Sequence, residues 1–95
     1  MGVFDKKDKE NEFFELVVQD LDQIIFTGKA KAVTAYNEKG IFDILSMHEN
    51  FISLINKNVT IQKENGEIQT LEIDKGILRV KKNRVEIFVG IQDEV

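Results

Sequence analysis

His48 is the only histidine of the chain, and the side chains that could make a catalyst of it, Ser46, Ser53 and Glu49, lie close by in sequence. Such a site needs a hydroxyl nucleophile, a base within hydrogen-bond reach and an acid that orients the base. No strained strand-to-helix elbow surrounds these residues, so His48 is expected to serve in a loop or an interface. A zinc site is not expected either, because the chain offers no second imidazole and no thiolate. Asp20 and Asp22 form an Asp-x-Asp pair, which elsewhere holds a divalent cation together with phosphate oxygens. Between two strands the same spacing makes a turn in which Asp bonds its own backbone, and that is the expectation here. Glu72 and Asp74 read as solvated charges at the end of a strand, before a Lys75-Gly76 turn, and charges there discourage edge-to-edge association. Lys81-Lys82-Asn83-Arg84 is basic but carries no interleaved aromatic residue, which makes it a poor nucleic-acid site. Gly28, Gly40, Gly66, Gly76 and Gly90 are too scattered to form a phosphate-cradling loop or a dinucleotide fingerprint. No catalytic group, cofactor or metal is expected, and the function that remains is the binding of other proteins.

The elements that must present such a surface are short. The 95 residues are 42% hydrophobic and include seven Phe, enough for one modest core and one domain. The formal charge is −4, from 13 basic and 17 acidic residues, which disfavours nucleic acid and direct docking on an anionic bilayer. The absence of cysteine excludes disulfides and fits a reducing cytoplasm. Residues 1–12 are densely charged from Asp5 onward and carry no apolar core, so they read as a flexible tail rather than a signal peptide. The folded domain is then expected over residues 13–95.

Phe14, Leu16 and Val18 alternate with Glu15, Val17 and Gln19, the period of a half-buried strand. Ile24–Thr27 follows as a second short strand closed by Gly28. Lys29–Tyr36 alternates again with small residues on one side, which lets two sheets approach closely. Asn37-Glu38-Lys39-Gly40 is a turn, and Ile41–Leu45 is a strand. Phe51–Ile55 is apolar at four of five positions, and periodicity alone leaves open whether it is a strand or a helical turn. Val59–Gln62 and Ile68–Ile73 flank Asn65-Gly66, the signal of a type I′ hairpin. Ile77–Val80 and Val85–Val89 make a second hairpin around Lys81–Arg84. The pattern predicts an all-β, antiparallel β-sandwich of about ten short strands.

The segment Gly40-Ile41-Phe42-Asp43-Ile44-Leu45-Ser46-Met47-His48-Glu49-Asn50, with Phe26-Thr27-Gly28 before it and Asp74–Val80 after it, resembles the N-terminal β-sandwich of the epsilon subunit of F-type ATP synthase. Asn83, Val85 and Ile87 continue the likeness, which runs from about Phe13 to Val89. The resemblance implies a non-catalytic subunit of the central stalk. It would bind the gamma subunit and the ring of c subunits, coupling proton transport to ATP synthesis from the cytoplasmic side of the inner membrane. It implies that Glu38, Lys39, Gly40, Ile41 and Phe42 meet the ring. It also implies that His48, with Asn50 in the same loop, and Asp20 face gamma. The chain stops at Val95, so the C-terminal helical hairpin that regulates such subunits is not expected to act here. It also has Ser46-Met47 and Glu49-Asn50 where the family commonly places prolines around the loop histidine. An alternative expectation is a stand-alone interaction domain that reuses the sandwich for another partner.

Overall fold

The computed structural model of the chain describes residues 12–90. The tail expected over residues 1–12 lies outside them except for Glu12. Alternating apolar and polar side chains build six strands: β1 (Phe14–Gln19), β2 (Ile24–Asn37), β3 (Gly40–Leu45), β4 (Phe51–Lys63), β5 (Ile68–Lys81) and β6 (Arg84–Val89). The fold is all-β. It has fewer and longer strands than the sequence pattern suggests, because β2, β4 and β5 each bend and serve both layers of the sandwich. The segments separated at Gly28 and at Lys75-Gly76 are halves of continuous strands. Phe51–Ile55, left open between strand and helix, is the first part of β4.

The strands are hydrogen-bonded in the order β1-β6-β5-β4-β2-β3, and β1 also pairs with β2. Five strands therefore form a closed ring, with β3 added on the outside of β2. A ring with an odd number of strands cannot alternate direction all the way round, so at least one neighbouring pair must be parallel. That pair is β1–β6, with Leu16 opposite Val85 and Val18 opposite Ile87. Every other pair is antiparallel, as the sequence predicts.

Each bend has a local cause. In β2 the pairing with β4 slips between Ala30 and Ala32. The inward set accordingly passes from Ala30 to Val33 and Ala35, changing phase. In β4 the register jumps between Asn56 and Asn58: Asn56 faces Lys75 while Asn58 faces Glu72, so Ile73 and Asp74 together oppose Lys57. Lys57 takes a left-handed conformation with φ of 68°, the bulge that turns the β4–β5 ribbon from one layer into the other. Its ammonium lies 5.3 Å from the centre of the Tyr36 ring. Gly76 sits beside this corner, where a Cβ would lie 2.6 Å from the Phe88 carbonyl oxygen. Only glycine lets β5 and β6 approach so closely there.

The core is filled from both layers by Phe14, Leu16 and Val18 of β1, Val33 and Ala35 of β2, Ile44 of β3, Val59 and Ile61 of β4, Leu78 of β5, and Val85 and Ile87 of β6. Among the described residues no buried residue is polar or charged. Each buried Val, Leu or Ile contributes about 1.5–3 kcal/mol relative to exposure, so the core holds the two layers together without polar specificity. Asn65-Gly66 lies at a hairpin tip, as its sequence predicts, but the loop is Glu64-Asn65-Gly66. Gly66 alone has positive φ (92°), and its N–H donates to the Lys63 carbonyl at 3.0 Å. That is a three-residue turn with a glycine bulge, not a type I′ turn. The two-residue turn with both φ values positive is Lys82-Asn83, at 52° and 60°, between the paired Lys81 and Arg84.

Candidate partner-binding surface

The registers define two ends of the sandwich. The upper end gathers the start of β1, the bend of β2, the β3–β4 connection and the Lys82-Asn83 turn. Lys29 lies beside Asn83 and Arg84 there, and its carbonyl accepts the Glu64 N–H at 3.2 Å. The lower end gathers the Asp20–Gln23 turn, the Glu38-Lys39 turn, the Lys57 corner and the end of β6. Strand β3 runs between the two ends, a rise of roughly 17 Å at ~3.3 Å per residue.

The residues singled out in the sequence divide between these ends. Asp20, Glu38, Lys39, Gly40 and Ile41 belong to the lower end, whereas His48 and Asn50 belong to the upper one. Asp20 closes its own turn: its Oδ1 accepts the backbone N–H of Asp22 at 2.8 Å and of Gln23 at 2.9 Å. The turn reading of Asp20 and Asp22 therefore holds. Asn37 works the same way in the next connection, its Oδ1 accepting the Lys39 N–H at 2.8 Å. This leaves Glu38 and Lys39 exposed at the tip. The pleat of β3 then sends Ile41 outward, where it is exposed, and turns Phe42 inward against the core. The Phe42 ring meets Phe51 edge-on at 5.6 Å, and Phe51 meets the His48 ring at 5.7 Å. His48 is half-buried, with Nδ1 donating to the Glu49 carbonyl at 2.8 Å. Ser53 does not reach it: the Ser53 hydroxyl accepts from Asn37 Nδ2 at 3.2 Å and donates to the Leu54 carbonyl at 2.9 Å. The Ser53 hydroxyl is thus engaged by Asn37 and Leu54 rather than by His48. Asn50 also bonds within the chain, its Oδ1 accepting the Lys82 N–H at 3.2 Å.

A feature that the residue-by-residue reading passes over is the outer face of the layer built by the first half of β4, the second half of β5, β6 and β1. Cross-strand pairing sets Leu54 opposite Ile77 and Ile77 opposite Phe88, with Ile52 opposite Arg79 in the next row. Leu54 is 73% exposed, Ile52 65% and Phe88 42%. Gln19 lies beside Phe88 and pairs in turn with Ile24, another exposed apolar side chain. Isolated exposed apolar residues are ordinary, but a contiguous patch on a sheet face marks an interaction surface. An ion-pair row borders it: Arg79 to Glu86 at 3.2 Å, and Arg84 to Glu15 at 3.0 Å. A cleft lined by Glu38, Lys39, Leu54 and Lys75 joins the patch to the hairpin tip at the lower end. The outer face of the other layer has a polar row across its middle, with Thr34 bonding Asp43 at 2.6 Å and Thr60 bonding Thr70 at 3.1 Å, and exposed Ile41, Leu45 and Ile68 to either side of it. The signal for the apolar face is present in Phe51–Ile55, where both faces of one strand are apolar. Such a strand is one that expects cover on both sides.

Residues 13–91 match the family model described as ATP synthase, Delta/Epsilon chain, beta-sandwich domain. The ATP synthase epsilon chain of Clostridium perfringens (strain 13 / Type A) is 31% identical over 78 residues, covering 81% of this chain and 59% of the relative. That of Sulfurimonas denitrificans is 31% identical over 67 residues, covering 70% of this chain and 52% of the relative. The chain thus spans a little over half the length of the curated relatives it matches. A chain in the cryo-EM structure of the Euglena gracilis mitochondrial ATP synthase, solved as OSCP/F1/c-ring, superposes with a TM-score of 0.77 at 20% identity, covering 82% of this chain and 51% of that one. A chain in the central stalk and c-ring of the Tetrahymena thermophila mitochondrial ATP synthase gives a TM-score of 0.66 at 14% identity, covering 79% and 61%. At these identities the two structures show a shared fold.

Proposed function

The chain belongs to the β-sandwich domain family of ATP synthase delta and epsilon chains, and from that premise we propose that it is an epsilon-like, non-catalytic subunit of the central stalk. Its outer apolar face takes the gamma subunit, and its lower tip, Glu38–Phe42, rests on the ring of c subunits. The observation that carries this reading is the apolar row Leu54–Ile77–Phe88, exposed at Leu54 and Phe88 and half-buried at Ile77, with exposed Ile52 beside it. Left in water such a row is costly, and cover by a partner of matching shape stabilises a complex.

The mechanism is mechanical. A ring of hydrogen-bonded strands has no free edge along which layers slide, and close-packed interiors transmit strain rather than absorb it. Torque entering at the lower tip reaches the gamma-facing layer through β4 and β5, which run unbroken through the corner at Lys57. His48, half-buried beside Phe51, completes the gamma-facing side at the upper end, and Asp20 borders it at the lower end. The chain is held at the cytoplasmic side of the inner membrane through the complex, without entering the bilayer. Among the described residues no helix is long and apolar enough to cross one.

The test is complex formation with the gamma subunit of the same organism. Mixed and passed over a sizing column, the two chains are expected to elute together in equal amounts. Separate elution at concentrations where both are folded overturns the reading.

A further inference from the structure

Two asparagines tie the β3–β4 connection and the β5–β6 turn to each other. Asn83 Oδ1 accepts the Met47 backbone N–H at 2.6 Å, and Asn83 Nδ2 donates to the Phe13 carbonyl at 3.0 Å. The Asn83 carbonyl accepts the Glu15 N–H at 3.3 Å. In the opposite direction, Asn50 Oδ1 accepts the Lys82 N–H at 3.2 Å. Each loop therefore supplies a side chain that bonds the backbone of the other. The left-handed conformations also gather here: of the four described non-glycine residues with positive φ, Met47, Lys82 and Asn83 lie in these two loops, and only Lys57 lies elsewhere. Residues with a Cβ hold such conformations when their surroundings fix them, and they cluster where a surface must be preformed.

We propose that Asn83 is a positioning residue for the partner-binding loop. Its side chain holds Met47 in the left-handed conformation and thereby sets where His48 stands. Asn50 acts as the reciprocal tie inside the chain rather than as a contact to the partner. The proposal rests on the reading of this chain as a gamma-binding subunit. The chemistry fits an asparagine and few other residues. Asn tolerates the left-handed region, its oxygen accepts the Met47 N–H, and its amide donates to Phe13, so one side chain joins three segments. His48 follows because it adjoins Met47 in the chain and packs on Phe51, the first residue of β4. A loop freed at Met47 is free to carry the imidazole away from that ring.

Two substitutions separate positioning from plain stability. Asn83→Gly keeps the backbone freedom and removes the side chain, whereas Asn83→Asp keeps an acceptor for Met47 and loses only the donor to Phe13. Amide exchange by NMR is followed at Met47 and, as a core reference, at Ile87, and gamma binding is measured by calorimetry. Asn83→Gly is expected to speed Met47 exchange relative to Ile87 by about tenfold, the loss of one hydrogen bond, and to weaken gamma binding. Asn83→Asp is expected to stay near the parent in both. If Asn83→Gly frees Met47 while gamma affinity is unchanged, the positioning role is overturned. If Gly and Asp weaken binding equally with Met47 still protected, Asn83 touches the partner directly and the proposal also fails. Should the parent chain itself not bind gamma, the functional reading is at fault. The Met47 exchange of the two variants still decides whether the tie exists.

Discussion

Leu54→Ala is the substitution that bears most directly on the apolar face. In the free chain Leu54 is 73% exposed, so little of its apolar surface works for folding. If gamma covers this face, that exposure is lost only on binding. The substitution removes three carbons, each contributing about 0.8 kcal/mol when fully buried. Scaled to the fraction that binding newly covers, the loss is about 1.5–2 kcal/mol, or roughly 10–30-fold in Kd. Folding stability should move by no more than about 0.5 kcal/mol, as expected for a surface position. Titration calorimetry against purified gamma gives the first quantity and urea unfolding gives the second. Thr70→Ala, in the polar row on the outer face of the other layer, serves as the matched control with an unchanged Kd. A Leu54→Ala complex within about threefold of the parent refutes the assignment of the face. So does a Thr70→Ala complex weakened as much, since the apolar row then has no special part in binding.

Three further substitutions follow from the same geometry. Gly76→Ala places a Cβ 2.6 Å from the Phe88 carbonyl oxygen and 3.3 Å from Ile55 Cγ1. It should destabilise the fold by about 1–3 kcal/mol in urea unfolding, and a change under about 0.5 kcal/mol would show that β5 and β6 can part there freely. Asp20→Ala removes the acceptor of two backbone N–H groups and should lower stability by about 1 kcal/mol. Asp20→Asn, which keeps the acceptor, should lower it far less, and equal losses for the two would mean that the turn does not depend on those bonds. Arg84→Gln breaks the ion pairs to Glu15 and Glu86 at 3.0 and 3.5 Å. The pairs are half-exposed, so stability should fall by less than ~1 kcal/mol, and the difference should fade in ~1 M salt. A loss that persists at high salt would point to packing of the Arg84 stem instead.

Part of the candidate surface was legible one residue at a time. The turns at Asp20 and at Asn37–Gly40 follow from residue type and spacing. The division of the candidate residues between two ends was not legible, because it depends on which way β3 runs after the turn and on where β4 begins. The role of Asn83 was equally hidden. Its partners, Phe13 and Met47, lie 70 and 36 residues away, and no local pattern encodes contacts at that separation.

What the sequence by itself determined is the β character of the chain, the inward faces of its strands and its family. The two-residue period and the order of turn residues are local properties, and they survive any arrangement in space. Only the tertiary structure decided how many strands there are. Gly28 and Lys75-Gly76 look like punctuation, but the chain passes through both as strand, since β1 pairs with Gly28 and β4 pairs with Lys75 and Gly76. The bend falls instead at Lys57, whose left-handed backbone carries no sequence mark and is held by the two-against-one pairing with Ile73 and Asp74. The parallel β1–β6 pair was likewise decided by closure, because a five-membered ring cannot be antiparallel throughout. The exposed apolar face lies between these cases. Phe51–Ile55 announces a strand that is apolar on both sides, yet only the closed ring shows that one of those sides is turned toward solvent, where a partner can cover it.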